Sequence, residues 1–103
     1  VAEYIGQHYM EPVSLEDLAA FAGFSKYHFS RIFMAYYQTS LPEYITSVRI
    51  SKAKELLENP DLSIMDVAFQ SGFLSLSSFN RTFKQRNNCT PSQFRKMFDY
   101  FPA

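Results

Sequence analysis

Residues 63–84 read SIMDVAFQSGFLSLSSFNRTFK, and this stretch decides the fold. Ser63 precedes an apolar series and Asp66 follows three residues later. That is the pattern of a capping box, in which a hydroxyl and an acid satisfy two helix N-terminal N–H groups reciprocally, here with Asp for the usual Glu or Gln. Ala68 and Gly72 follow, four residues apart. A tight helix-turn-helix needs a small residue where its helices cross and a glycine where the chain takes positive φ. Phe73, just after the glycine, is expected to plug the turn into the core, as is Phe24 just after Gly23. From Ser75 a second helix is expected, with Phe79, Thr82 and Phe83 inward and Ser77, Asn80, Arg81 and Lys84 on the outer stripe.

The same construction stands earlier in the chain. At an offset of 49, Ser14/Ser63, Asp17/Asp66, Ala19/Ala68, Gly23/Gly72 and Phe24/Phe73 are identical. At an offset of 50, Phe29/Phe79, Arg31/Arg81 and Phe33/Phe83 are identical, and at 49 again Pro42 matches Pro91. The change of offset implies one extra residue in the second turn, near 74–76. The unit is therefore duplicated, and two copies are too few for a solenoid. In the first copy, Phe29, Ile32, Phe33 and Tyr36 are expected to face the core. Tyr27, Ser30, Arg31 and Met34 form the opposite stripe, although Tyr27 also reads as a core aromatic.

Outward from the repeats, nearly every segment reads as helix, and no strand-like alternation is sustained. Ser14, Ser25, Ser63 and Thr90 stand at N-cap positions, and Pro91 occupies a first helical position, where its missing N–H costs nothing. The spacing predicts an all-α fold of seven helices over 1–9, 15–22, 26–37, 42–58, 64–71, 75–87 and 91–98. The expected organisation is a first helix-turn-helix unit over 1–40, a linker helix over 41–59 and a second unit over 60–103. A linker of about 17 residues spans about 25 Å. Successive major-groove faces lie about 34 Å apart, so such a spacer could hold two reading helices on one side of a duplex. Arg49, Lys52 and Lys54 are candidate phosphate contacts on it, although Glu55 and Glu58 suggest a largely solvated face.

Composition narrows the function. The 103 residues are 47% hydrophobic and 17% aromatic, ample for a folded core. No apolar run approaches membrane-spanning length. The single cysteine, Cys89, excludes an internal disulfide and any Cys-rich zinc site, and a reducing cytoplasm is the expected compartment. Net charge is zero, which alone argues against a nucleic-acid binder. Its distribution argues the other way. Residues 67–98 hold Arg81, Lys84, Arg86, Arg95 and Lys96 and no acid, so a neutral total hides a basic third.

An enzyme is a poor reading. His8 and His28 are the only histidines, and no nucleophile elbow, metal-ligand spacing or phosphate loop occurs. His28 reads as a surface or capping residue. A triad of Asp66, His28 and Cys89 can be imagined, but the duplicated Asp is better explained by capping. No catalytic residue, metal or cofactor is expected. Arginine can clamp guanine or phosphate, asparagine can pair with adenine, and serine can contact either, so both outer stripes suit a major groove. The rival reading is a helical protein-interaction module, with Met34, Tyr37 and Leu76 as an apolar patch. Leu74 and Leu76 are expected to pack the longer turn rather than touch thymine methyls.

The sequence resembles the AraC/XylS family of bacterial transcription regulators over nearly its whole length. The marks are Leu18-Ala19 through Gly23-Phe24-Ser25, Arg31-x-Phe33, Arg49-x-x-x-Ala53-x-x-Leu56-Leu57, Ile64-x-x-Val67-Ala68-x-x-x-Gly72-Phe73, Phe79-x-Arg81-x-Phe83-Lys84 and Thr90-Pro91-x-x-Phe94-Arg95. The resemblance implies a seven-helix domain reading two successive major grooves of an operator, usually at the C-terminal end of a longer regulator. It implies base contacts from Tyr27, Ser30 and Arg31 and from Ser77, Ser78, Asn80 and Arg81. Phosphate contacts are expected from Lys26, Lys84 and Thr90. The implied partners are double-stranded DNA, RNA polymerase and an N-terminal sensor, receiver or dimerisation domain, with activation as the expected output and no membrane. The first unit departs from the family, with Met34 where a basic residue is usual and Gln38 where glycine usually closes the helix.

Overall fold

The computed structural model describes residues 2–10 and 15–100. Among them lie seven helices and no strand: α1 Ala2–His8, α2 Leu15–Ala22, α3 Lys26–Tyr37, α4 Leu41–Leu57, α5 Ile64–Gln70, α6 Leu76–Asn87 and α7 Pro91–Tyr100. The all-α expectation holds, with ends displaced by one or two residues. The expected cap at Ser14 and the start at Val1 lie outside the described residues. The chain divides into two compact units, Val1–Val48 and Arg49–Ala103, so the break falls within α4.

Each unit has its own core. The first gathers Ile5, Leu18, Ala19, Phe29, Phe33, Leu41 and Ile45, with Tyr37, Tyr44 and Val48 partly buried against them. Phe33, Tyr37 and Tyr44 pack ring to ring, with centroids 4.5–5.5 Å apart. This geometry suits edge-on and offset aromatic contact. The second core gathers Ile50, Ala53, Leu57, Val67, Ala68, Phe73, Phe79 and Phe83. Helix α4 thus serves both units. Leu41 and Ile45, one turn apart, enter the first core; Ile50, Ala53 and Leu57 enter the second.

The two turns are built alike. Gly23 has φ +80 and Gly72 φ +101. In the first turn the Gly23 N–H donates to Ala20 O at 3.1 Å and the Phe24 N–H to Ala19 O at 2.9 Å. In the second, Gly72 donates to Phe69 O at 3.1 Å and Phe73 to Ala68 O at 3.0 Å. These paired bonds are a Schellman motif, which satisfies the last helical carbonyls and requires the left-handed residue that glycine supplies. The capping box at Ser63 is present, with Asp66 N–H on Ser63 Oγ and Ser63 N–H on an Asp66 carboxylate oxygen, both at 3.0 Å.

Several inward expectations are corrected. Ile32 and Tyr36 are exposed, and Tyr37 turns inward in place of Tyr36. Both tyrosines satisfy the 3–4 spacing after Phe33, and the Tyr44 ring of α4, 4.9 Å from that of Tyr37, takes Tyr37 into the core. Phe73 is buried, but Phe24 is exposed, its ring edge-on to His28 at 5.2 Å. Leu76 packs against the second core while Leu74 stands in solvent, so only one of the two leucines packs the turn. The proline match also shifts. Ser40 caps α4 by accepting the Glu43 N–H at 3.3 Å, and Thr90 occupies the same position before α7. The caps therefore correspond at an offset of 50, which places Pro91 first in its helix and Pro42 second.

A candidate nucleic-acid interface

Helices α3 and α6 are equal in length, capped alike and closed alike. Ser25 and Ser75 are extended N-caps, their hydroxyls accepting the N–H groups of His28 at 3.3 Å and Ser78 at 3.1 Å. Each N-cap satisfies a donor that a helix start leaves orphaned. Gln38 and Asn88 close the helices in left-handed conformation, with φ 57 and 59, and donate to Met34 O and Lys84 O. The caps bracket twelve residues in each helix. Phe29/Phe33 and Phe79/Phe83 bolt one face to its core, so the opposite face is held toward solvent by construction.

That face carries the expected side chains. On α3, Lys26, Tyr27, Ser30, Arg31 and Met34 are all exposed. Tyr27 is 77% exposed, so its reading as a core aromatic falls. On α6, Ser77, Asn80, Arg81 and Lys84 are exposed and Ser78 is half-buried. Neither Arg31 nor Arg81 is ion-paired among the described residues. The two faces differ in charge. In α3 the Lys26 ammonium lies 3.1 Å from a Glu16 carboxylate oxygen. A hydrogen bond from its own backbone, then Lys26, holds the Glu16 carboxyl below its ordinary range. Where α6 has Lys84 and Arg86, α3 has Met34 and Tyr36.

Thr90 opens α7 in a capping box not expected from the sequence. Its N–H donates to Gln93 Oε1 at 2.9 Å, and its Oγ1 accepts the Gln93 N–H at 3.1 Å. Thr90-x-x-Gln93 is the signal that could have found it. The hydroxyl accepts there and can still donate. Arg95 has another task. Its Nε donates to Leu57 O at 3.1 Å and a terminal nitrogen to Asn59 O at 3.2 Å, capping the carbonyl end of α4. A cation there suits the negative end of the helix dipole. Nothing local in the sequence signals this, because the partners lie 38 and 36 residues away.

The linker cations are also occupied. Lys52 pairs with Glu55 at 3.4 Å, and Lys54 lies 5.9 Å from the centre of the Phe94 ring. Arg49 is half-buried, and desolvation lowers its pKa. Of the residues of the rival apolar patch, Met34 is exposed, Tyr37 packs against the first core and Leu76 against the second. No group of His, Cys, Asp and Glu among the described residues could hold a metal ion. No helix among them is long and apolar enough to cross a membrane.

A helix-turn-helix domain model matches residues 18–97. The chain is 37% identical over 86 residues to a probable transcription factor, PqrA, of Proteus vulgaris, covering 84% of this chain and 70% of that protein. Longer HTH-type regulators of Staphylococcus aureus match too, and the chain spans only 13% of their length. Among solved structures, an AraC-type transcriptional regulator of Chromobacterium violaceum superposes with a TM-score of 0.88 at 27% identity, covering 99% of this chain and 90% of that one. The DNA-binding domain of AdpA, solved with a target DNA, superposes with a TM-score of 0.91 at 26% identity, covering 98% and 91%.

Proposed function

The chain belongs to the AraC-type helix-turn-helix family of DNA-binding transcription regulators, and on that footing we propose that α3 and α6 are its two recognition helices, reading successive major grooves of one operator. The observation that carries this reading is the matched pair Arg31 and Arg81. Each is exposed, free of ion pairs among the described residues, and stands at the same place on a helix fastened by two buried phenylalanines. An arginine so placed can clamp guanine O6 and N7 with its planar fork. Tyr27 and Ser30 extend the base-facing stripe of α3, and Ser77, Ser78 and Asn80 that of α6. Lys84 and Lys26 bind phosphate, Lys26 in competition with Glu16. Thr90 offers its hydroxyl hydrogen to phosphate at the start of α7, where the helix dipole favours an anion.

The rest of the regulator follows from the family. The 13% span in the staphylococcal relatives suits a DNA-reading end joined to a sensor, receiver or dimerisation domain. RNA polymerase is the proposed protein partner, activation the proposed output and the bacterial cytoplasm the proposed compartment. The domain acts by binding, without catalysis. Selection of bound sequences from a random duplex pool tests the central claim. Two short motifs about one helical turn apart, 10–10.5 base pairs, are expected. A single motif, or no enrichment, would overturn the two-groove reading.

A further inference from the structure

Leu74 is 88% exposed, more than any other large hydrophobic residue described. It is the extra residue of the second turn. In the first turn Ser25 caps α3 directly after Phe24; in the second, Leu74 stands between Phe73 and the cap Ser75. With that additional residue Phe73 turns into the core, its ring 5.1 Å from Phe79, and the chain then carries Leu74 out before α6 begins. Leu76, two residues on, packs back against the core. The leucine thus has no packing role in its own unit.

Its position is the leading end of a recognition helix. The N-terminal residues of such a helix contact base edges. Ser77, Ser78 and Arg81 follow Leu74 within two turns. In the major groove only thymine offers an apolar group, its C5-methyl, on the edge of the base pair. A leucine left in water by the fold gains by covering that methyl. We propose that Leu74 is a specificity-determining residue that favours thymine, through its methyl group, at one position of the half-site read by α6. The inference rests on the DNA-binding reading above.

The test uses this chain and the duplex selected from the random pool. Each thymine of the α6 half-site is replaced in turn by uracil, which removes only the methyl. At one position the affinity of the unaltered chain is expected to fall about fourfold, the size of one methyl lost from apolar contact. For Leu74→Ala the same replacement should change nothing. An exposed side chain is dispensable for folding, and an unchanged thermal melt verifies that for the variant. A half-site without thymine, no uracil effect, or an equal effect in both proteins overturns the role of Leu74 while DNA binding stands. Failure of the unaltered chain to enrich any sequence overturns the DNA reading and this inference with it.

Discussion

Arg31 and Arg81 occupy equivalent positions, yet their surroundings differ. Arg81 shares α6 with Lys84 and Arg86, whereas Arg31 shares α3 with a lysine already held by Glu16. Replacing either arginine by alanine is expected to weaken cognate binding by about 1–3 kcal/mol, the cost of losing a base-reading contact. Arg81→Ala should cost more. Titration of each variant on the selected duplex measures this, and unchanged affinity in both would remove the arginines from the base-facing set. The pair between Lys26 and Glu16 leads to an opposite expectation. It is a surface ion pair, and such pairs contribute little to stability. Its carboxylate repels the phosphate that Lys26 would meet. Glu16→Gln should therefore tighten DNA binding and leave the melting temperature nearly unchanged; weaker binding would show that Glu16 positions Lys26 instead of competing for it.

At the level of elements, the closing residues of α3 and α6 are the informative ones. Both are left-handed, but Asn88 tolerates that conformation through its short amide, while Gln38 pays the steric cost of a β-carbon beside the carbonyl. Gln38→Gly relieves that strain, and the greater conformational entropy of glycine in the unfolded chain offsets part of the gain. A net gain of about 0.5–1 kcal/mol is expected, read from the urea midpoint at constant slope. A lower midpoint would mean that the glutamine side chain contributes more than its backbone costs. The helices themselves were legible in the sequence because their signals are local: Ser25, Ser63 and Thr90 before the first turn, glycines at positive φ, phenylalanines four apart. The choice between Tyr36 and Tyr37 was not. Adjacent aromatics both satisfy a 3–4 spacing, and only the partner across the core, here Tyr44 on α4, selects one.

For the whole molecule the division of labour is electrostatic. On the proposed reading Lys84 of α6 releases counterions from phosphate, whereas α3 presents Tyr27, Met34 and Tyr36 where α6 carries Ser77, Lys84 and Arg86. The salt dependence of affinity should therefore belong mainly to the second unit. Lys84→Ala is expected to reduce the slope of log affinity against log salt by about 1, and Met34→Lys to raise it by about 1. Equal slopes for all three proteins would place phosphate binding elsewhere. The sequence by itself determined the helical class, the duplication, both glycine turns and the basic third, because periodicity, capping and charge are properties of neighbouring residues. Net charge pointed the wrong way, because a sum discards position. Only the tertiary structure decided which side chains are spent on the fold. Arg95 is drawn to the carbonyl end of α4, Lys54 over a phenylalanine and Arg49 into partial burial, each by a partner from a distant or folded neighbour. Arg31, Arg81 and Lys84 remain on outward faces because the opposite sides of their helices are buried. Leu74 is the sharpest case. Its hydrophobicity argues for burial, and only the packing of Phe73 and Leu76 on either side of it leaves it in water at the front of α6.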